Sequence, residues 1–305
     1  MSEVPLFDRR VMRRWRARAR RHGGRHFLAE RISRDVADRV AEVNRGFSRM
    51  LEIAAVPGAI ATPLIAEAKV GEAVIGLVAP APEGPVRRQV AIDEEALPFA
   101  PSSFDLVAGA LTLHGVNDLP GTLAQINRVL VPDGLFVAAL FGGATLSELR
   151  QSFAAAEAEI SGGSSPRVMP FTDLRDAGGL LQRAGFALAV ADADRFTVRY
   201  DSALALIADV RAMGEANALA ERSRTPLTRG LLARMAEIYA ERFADADGRV
   251  RATFEIVTVT GWRAHDSQQR PLRPGSARMK LADALGTGER SAGERARPGF
   301  WKRSR

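Results

Sequence analysis

Residues 102–141 read SSFDLVAGALTLHGVNDLPGTLAQINRVLVPDGLFVAALF. The apolar run 106–111, entered by Phe104-Asp105, has the length and composition of a buried parallel strand. A polar bend follows at 117–120. Leu123, Ile126, Val129 and Leu130 then recur at helical spacing. Pro132-Asp133-Gly134 is expected to stop that helix, and 135–141 is a second buried run. Strand, helix and strand in so short a span predict a parallel βαβ crossover, with both strands in one sheet.

Working outward, a chain of 305 residues can bury a large core in one or two domains. Its 46% hydrophobic and 26% charged residues are those of a globular protein. The absence of cysteine excludes disulfides, a thiol nucleophile and thiolate metal sites, which suits a reducing compartment. No apolar run is long enough to cross a bilayer, and residues 1–25 lack the apolar segment of a secretory signal. The net charge of +7 is carried almost wholly by arginine, since only Lys69, Lys280 and Lys302 are lysines. Such a field could serve an acidic partner or reflect a coding bias toward Arg and Ala. Aromatic residues are not interleaved with the arginines, so no nucleic-acid partner is expected.

Residues 1–25 combine nine arginines with Leu6, Phe7, Val11, Met12 and Trp15. A basic helix lying on the protein body or on an acidic partner is expected there, with a mitochondrial transit segment as the alternative. Leu28, Ile32, Val36, Val40 and Val43 share one face of an amphipathic helix. Strands are expected at 50–53, 74–79, 186–190 and 253–262, with a separate short strand at 195–200. Helices are expected at 146–160, 171–184, 204–213 and 228–243. Thr145 and Glu148 have the spacing of a capping box. Residues 161–166 are a candidate flexible lid. The Gly, Ser, Arg and Pro content from 286 onward predicts disorder, within which Phe300 and Trp301 could touch a partner.

FDLV, L-x-L-H, NDLP and RVLVPDG, in that order and spacing, resemble the fourth and fifth strands of class I S-adenosylmethionine (SAM) dependent methyltransferases. Beyond Phe141, FGGATLSELR, GGSSPRVMPF, LLQRAGF, RFTVRY, RAMGEANAL, ATFEIVTVTGW and HDSQQRPLRPGSA narrow the likeness. They resemble the subfamily of the complex I assembly arginine hydroxylases and their alphaproteobacterial counterparts. The malonyl-carrier-protein methyltransferases of biotin synthesis are more distant. The resemblance spans residues 6–285. It implies an α/β fold with a seven-stranded, mainly parallel Rossmann-like sheet, helices on both faces and a helical cap inserted before the last strand. The corresponding organisation is a basic arm 1–26, a core 27–200, a cap 201–250, a last strand and extension 251–285, and a tail 286–305.

The resemblance also implies SAM as cofactor. Glu52 stands at the acidic position of the first strand, but Ala54, Val56 and Gly58 stand where the family has three glycines. Positive φ costs a side-chain-bearing residue about 1–2 kcal/mol, and Pro57 removes an N–H, so the loop is expected to take another path. Ala79-Pro80 replaces the acid that holds the ribose hydroxyls, with Glu83 the nearest carboxylate. Asp93 and Glu94, ahead of Leu97-Pro98-Phe99, match the adenine loop. Asp93 could accept from the adenine amino group or simply cap the following turn. His114, after the fourth strand, is a candidate general base or a packing histidine. The four histidines form no metal-ligand pattern.

Two functions of different class follow. One is a SAM-dependent enzyme acting on a protein substrate, which the resemblance implies is an arginine of a respiratory complex I subunit. The other is a non-catalytic assembly factor that has lost cofactor affinity. A bacterial cytoplasm is the expected location, with the mitochondrial matrix as the alternative.

Overall fold

A computed structural model describes residues 5–21, 27–78, 88–171, 173–268 and scattered positions from 279 to 288. Residues 267–305 form a unit of their own. The expectations for residues 79–87, Phe300 and Trp301 lie outside the described residues.

Helices α1 (Arg9–Arg21) and α2 (Phe27–Glu42) precede strand β1 (Phe47–Ala54). Then come α3 (Ala61–Ala66), β2 (Val70–Leu77), β3 (Gln89–Ala91), β4 (Phe104–Ala110), α4 (Leu119–Val129) and β5 (Leu130–Phe141). The chain continues through α5 (Ser147–Ser161), α6 (Leu174–Arg183), β6 (Phe186–Tyr200), α7 (Ala203–Met213), α8 (Arg229–Phe243) and β7 (Val250–Arg263). The sheet has seven strands in the order β3-β2-β1-β4-β5-β7-β6. Strands β1 to β5 run parallel, and β7 is antiparallel to both β5 and β6. This is the class I methyltransferase arrangement.

Alternate strand residues feed two separate cores, as the pleat requires. Met50, Leu106, Val137 and Ala139 face α2, α5, α7 and α8, where they pack with Ile32, Val36, Phe153, Leu206 and Met235. Leu51, Ile53, Val107, Phe136 and Leu140 face the other way, against Leu123 and Ile126 of α4 and Leu180 and Leu181 of α6. The apolar stripe of α8 is core: Leu231, Met235, Ile238 and Tyr239 are all buried.

Three local expectations need correction. Pro132-Asp133-Gly134 lies inside β5 as a bulge, where the register against β4 jumps from Phe104↔Leu130 to Leu106↔Leu135. Asp133 takes the left-handed φ of +61° there, and Arg45 binds its carboxylate at 3.0 Å. The expected strands at 186–190 and 195–200 are one continuous strand, β6, because its whole length pairs with β7 apart from a bulge between Ala187 and Val190. The capping box does not form. Leu146 is the N-cap residue of α5, with φ +55° and no side-chain cap. Thr145 Oγ1 instead donates to the Glu255 carbonyl, and Glu148 binds the N–H and hydroxyl of Thr253. Strand β7 offers Thr145 a carbonyl acceptor and Glu148 the N–H and hydroxyl of Thr253, so long-range pairing wins over a local cap.

Candidate active site at the C-terminal edge of the sheet

Ligands of open α/β sheets bind beyond the carboxyl ends of the strands, where the order reverses. Here the strands flanking that reversal are β1 and β4, paired in register from Met50↔Leu106 to Ala54↔Ala110. The segments leaving them form the site.

Glu52 lies in β1 with no exposed surface. One carboxylate oxygen accepts from Gly58 N at 2.6 Å, and the other from Ile60 N at 3.2 Å and Ala61 N at 2.7 Å. Burial pushes its pKa up to about 7, against the opposing pull of these amide donors. Glu52 therefore shapes the loop and receives the N-terminus of α3, and reaches any ligand only through that backbone. Ala54 closes β1. The Ala55 amide continues the pairing by donating to Ala110 O at 2.8 Å. Of the three positions where the family has glycine, only Gly58 adopts positive φ, at +83°. Val56 is half-buried and packs on the α2 side of the sheet. The loop is thus a turn with a single left-handed residue.

The loop after β3 carries Asp93, Glu94 and Glu95, and all three meet α1. Arg9 bridges Asp93 and Glu94 and lies 2.7 Å from Glu95, while Arg13 Nη2 is 2.7 Å from Asp93 Oδ2. Asp93 also caps its own turn, accepting from Glu95 N at 3.0 Å. Burial raises its pKa, but the hydrogen bonds from Arg13 and Arg9 outweigh that and hold it down to about 2.

Beyond β4, Leu111 is held at φ +54°, a costly conformation for a bulky side chain. The 3₁₀ turn Leu113–Gly115 then buries His114. Its Nε2 is 2.9 Å from Glu215 Oε2, in the segment after α7. Burial alone would raise the Glu215 pKa. The charges of Arg16 and His114 reverse this and hold it at about 2, so Glu215 is ionised and accepts. His114 Nε2 therefore carries the proton. Its ring packs 4.9 Å from Phe141 and 5.6 Å from Phe171, and its Nδ1 has no hydrogen-bond partner.

Helix α1 closes this edge. Phe7 bridges to Leu219, Asp8 N donates to Ala218 O at 2.8 Å, and Phe7 N donates to Asn117 Oδ1 at 2.7 Å. Arg16 is 4% exposed and reaches Glu215, Glu94 and the Leu111 carbonyl. Beside the helix, a cleft of about 650 Å³ opens between Leu6, Arg150, Val168 and Leu219.

Arg9, Arg13, Arg16 and Glu215 were not among the site residues expected from the sequence. A signal was present for the arginines: spacings of four and three residues put them on one helical face, and Asp93-Glu94-Glu95 is a run of matching charge. Glu215 lies within the RAMGEANAL motif, but no charge pattern there marks it as a partner of Arg16 or His114. No cluster of metal-ligating side chains occurs among the described residues.

The chain is 40% identical over 286 residues to the rat protein "Arginine-hydroxylase NDUFAF5, mitochondrial", covering 91% of this chain and 83% of the relative. It belongs to the NDUFAF5 family. The human member is 38% identical over the same shares of both chains. The Halorhodospira halophila malonyl-[acyl-carrier protein] O-methyltransferase is 32% identical over 92% of this chain and 96% of its own. The methyltransferase domain model matches residues 72–138. Among solved structures, a Bacillus halodurans protein assigned as a methyltransferase superposes with a TM-score of 0.51 at 15% identity, covering 75% of this chain and 97% of that one. That likeness carries the fold alone. This chain is thus an NDUFAF5-family protein on a SAM-dependent methyltransferase fold.

Proposed function

We propose that this protein acts on an arginine side chain of a partner protein during assembly of a respiratory complex, at the edge formed by β1, β4 and the segment after α7. One observation carries the reading: identity of about 40% to the arginine hydroxylases extends through 91% of the chain, and so includes the cap side as well as the methyltransferase domain.

SAM is the cofactor that the fold implies. Its fit here is one of backbone rather than of carboxylates. The Gly58 turn and the strand ends offer main-chain contacts to a nucleoside and amino acid. Glu52, however, is spent on three amides, and Asp93 and Glu94 are held by Arg9 and Arg13. Glu52, Ala54, Val56, Gly58, Asp93 and Glu94 are proposed to line the cofactor, the first through the loop it orders. Bound SAM supplies an activated methyl group. His114 is proposed to serve the acceptor side, with Nε2 held by Glu215 and Nδ1 without a hydrogen-bond partner.

A second reading has its own observation. The engagement of Asp93 and Glu94 by α1 favours a non-catalytic assembly factor. One experiment separates the two. The protein is expressed with respiratory complex subunits, its partner is recovered, and the partner's arginines are analysed by mass spectrometry. Gain of one oxygen on an arginine supports the hydroxylase reading, and gain of one methylene supports methyl transfer. A stable complex with unmodified arginines, together with no thermal shift from SAM, sinks both enzymatic readings. We propose a bacterial cytoplasm as compartment, with the mitochondrial location of the NDUFAF5 relatives as the alternative.

A further inference from the structure

A guanidinium is buried beyond the end of β4. Arg16 Nε and Nη2 lie 3.2 and 3.1 Å from Glu215 Oε1, Nη1 lies 3.7 Å from Glu94 Oε1, and Nη2 lies 3.5 Å from the Leu111 carbonyl. These acceptors come from the loop after β3, the end of β4 and the segment after α7. The cradle therefore belongs to the body of the protein, and α1 only supplies its occupant. His114 stands against the same guanidinium, with Nε2 3.4 Å from Nη2. Its side chain is wholly buried, and Nδ1 has no hydrogen-bond partner.

We propose that this cradle is the binding site for the arginine side chain of the protein substrate, and that Arg16 occupies it as a self-ligand the substrate must displace. The inference rests on the arginine-directed reading above and adds where the arginine binds. Two carboxylates and a carbonyl arranged about one planar group match the fork of a guanidinium better than the point charge of an ammonium. Anchoring α1 does not require this burial. Arg9 and Arg13 already fix the helix at the more exposed acids Asp93 and Glu95, whereas burying Arg16 with Glu215 carries a desolvation penalty. A cradle built to recognise arginine accounts for that penalty, and filling it from α1 keeps its acids paired until a substrate arrives.

The test uses the full chain, wild type and Arg16→Ala, titrated with N-acetyl-arginine N-methylamide and with its lysine analogue. A site filled by its own arginine about nine-tenths of the time weakens a competitor roughly tenfold, so R16A should bind the arginine amide about tenfold more tightly than wild type. The lysine analogue should show no such gain, and Glu215→Gln added to R16A should abolish it. Equal binding of the arginine amide to wild type and to a folded R16A overturns the inference. If R16A does not fold, amide hydrogen exchange in the wild type decides. The arginine amide should accelerate exchange across α1 where the lysine analogue does not, and no acceleration overturns the inference. Unmodified partner arginines with the R16A preference intact would sink the functional reading alone. A modified partner arginine without that preference would sink the cradle alone.

Discussion

Arg16 and Glu215 lie 199 positions apart in the chain and meet at 3.1 Å in a space closed to water, with their side chains 5% and 7% exposed. Through Glu215 this pair also fixes the ring of His114. One contact thus joins the N-terminal helix, the end of the central strand and the segment after α7.

Glu215→Ala should cost about 3–5 kcal/mol, because it strands a buried guanidinium rather than merely removing an attraction. Replacing both partners, as in Arg16→Leu with Glu215→Leu, should recover much of that loss. Urea denaturation of the three proteins checks the order. A single-mutant cost below about 1 kcal/mol would mean the pair is solvated.

Stability should fall on both sides of a maximum near pH 4.5, for opposite reasons. Glu215, held at about 2 against an ordinary 4.5, gives up its contribution of roughly 3 kcal/mol as pH falls from 4.5 to 2. Glu52, raised by burial to about 7, binds its proton more tightly folded than unfolded. It therefore loses roughly 3 kcal/mol as pH rises from 4.5 to 7, and nothing further above that. Glu215→Gln should flatten the acid limb and Glu52→Gln the upper one, read from denaturation midpoints across pH.

Gly214→Ala should unseat α1. Gly214 sits at φ +81°, where a side chain costs about 1–2 kcal/mol, and an added Cβ would meet the Arg16 Cα at 2.9 Å. That neighbour is backbone and cannot rotate away. Amide exchange across α1 should rise by more than tenfold, about 1.4 kcal/mol of local protection, while β4 and β5 stay protected. Unchanged α1 protection would show that the helix docks without needing this close approach.

Arg9→Ala with Arg13→Ala should improve the response to SAM. Removing these arginines frees Asp93 for a nucleoside and leaves Glu94 with Arg16 alone. A tighter Kd at fixed ligand raises the melting temperature by mass action, each tenfold being about 1.4 kcal/mol. Thermal melts with and without SAM measure it. A smaller shift in the double variant would mean that α1 helps to hold the cofactor.

The succession of strands and helices along the chain was legible because each element is bounded by local signals, whereas the seven-stranded sheet was what the family resemblance implied. The apolar runs of 106–111 and 135–141 and the helical spacing of Leu123, Ile126 and Val129 all act within a few residues. The same locality explains the misreadings. Thr145 and Glu148 have capping-box spacing, yet Thr253 and Glu255 compete for them from more than 100 residues away. The bulge at Pro132–Gly134 and the unity of β6 were decided by register against β4 and β7. At the site, sequence singled out Glu52, Asp93 and His114 by position, but not what satisfies them. The basic N-terminal helix was visible as a charge pattern, and only folding set its arginines on the acids of the β3 loop and on Glu215. Periodicity records which face of an element is apolar. It carries no information about which distant charge will be buried beside another, because that pairing is fixed by the packing of the whole chain.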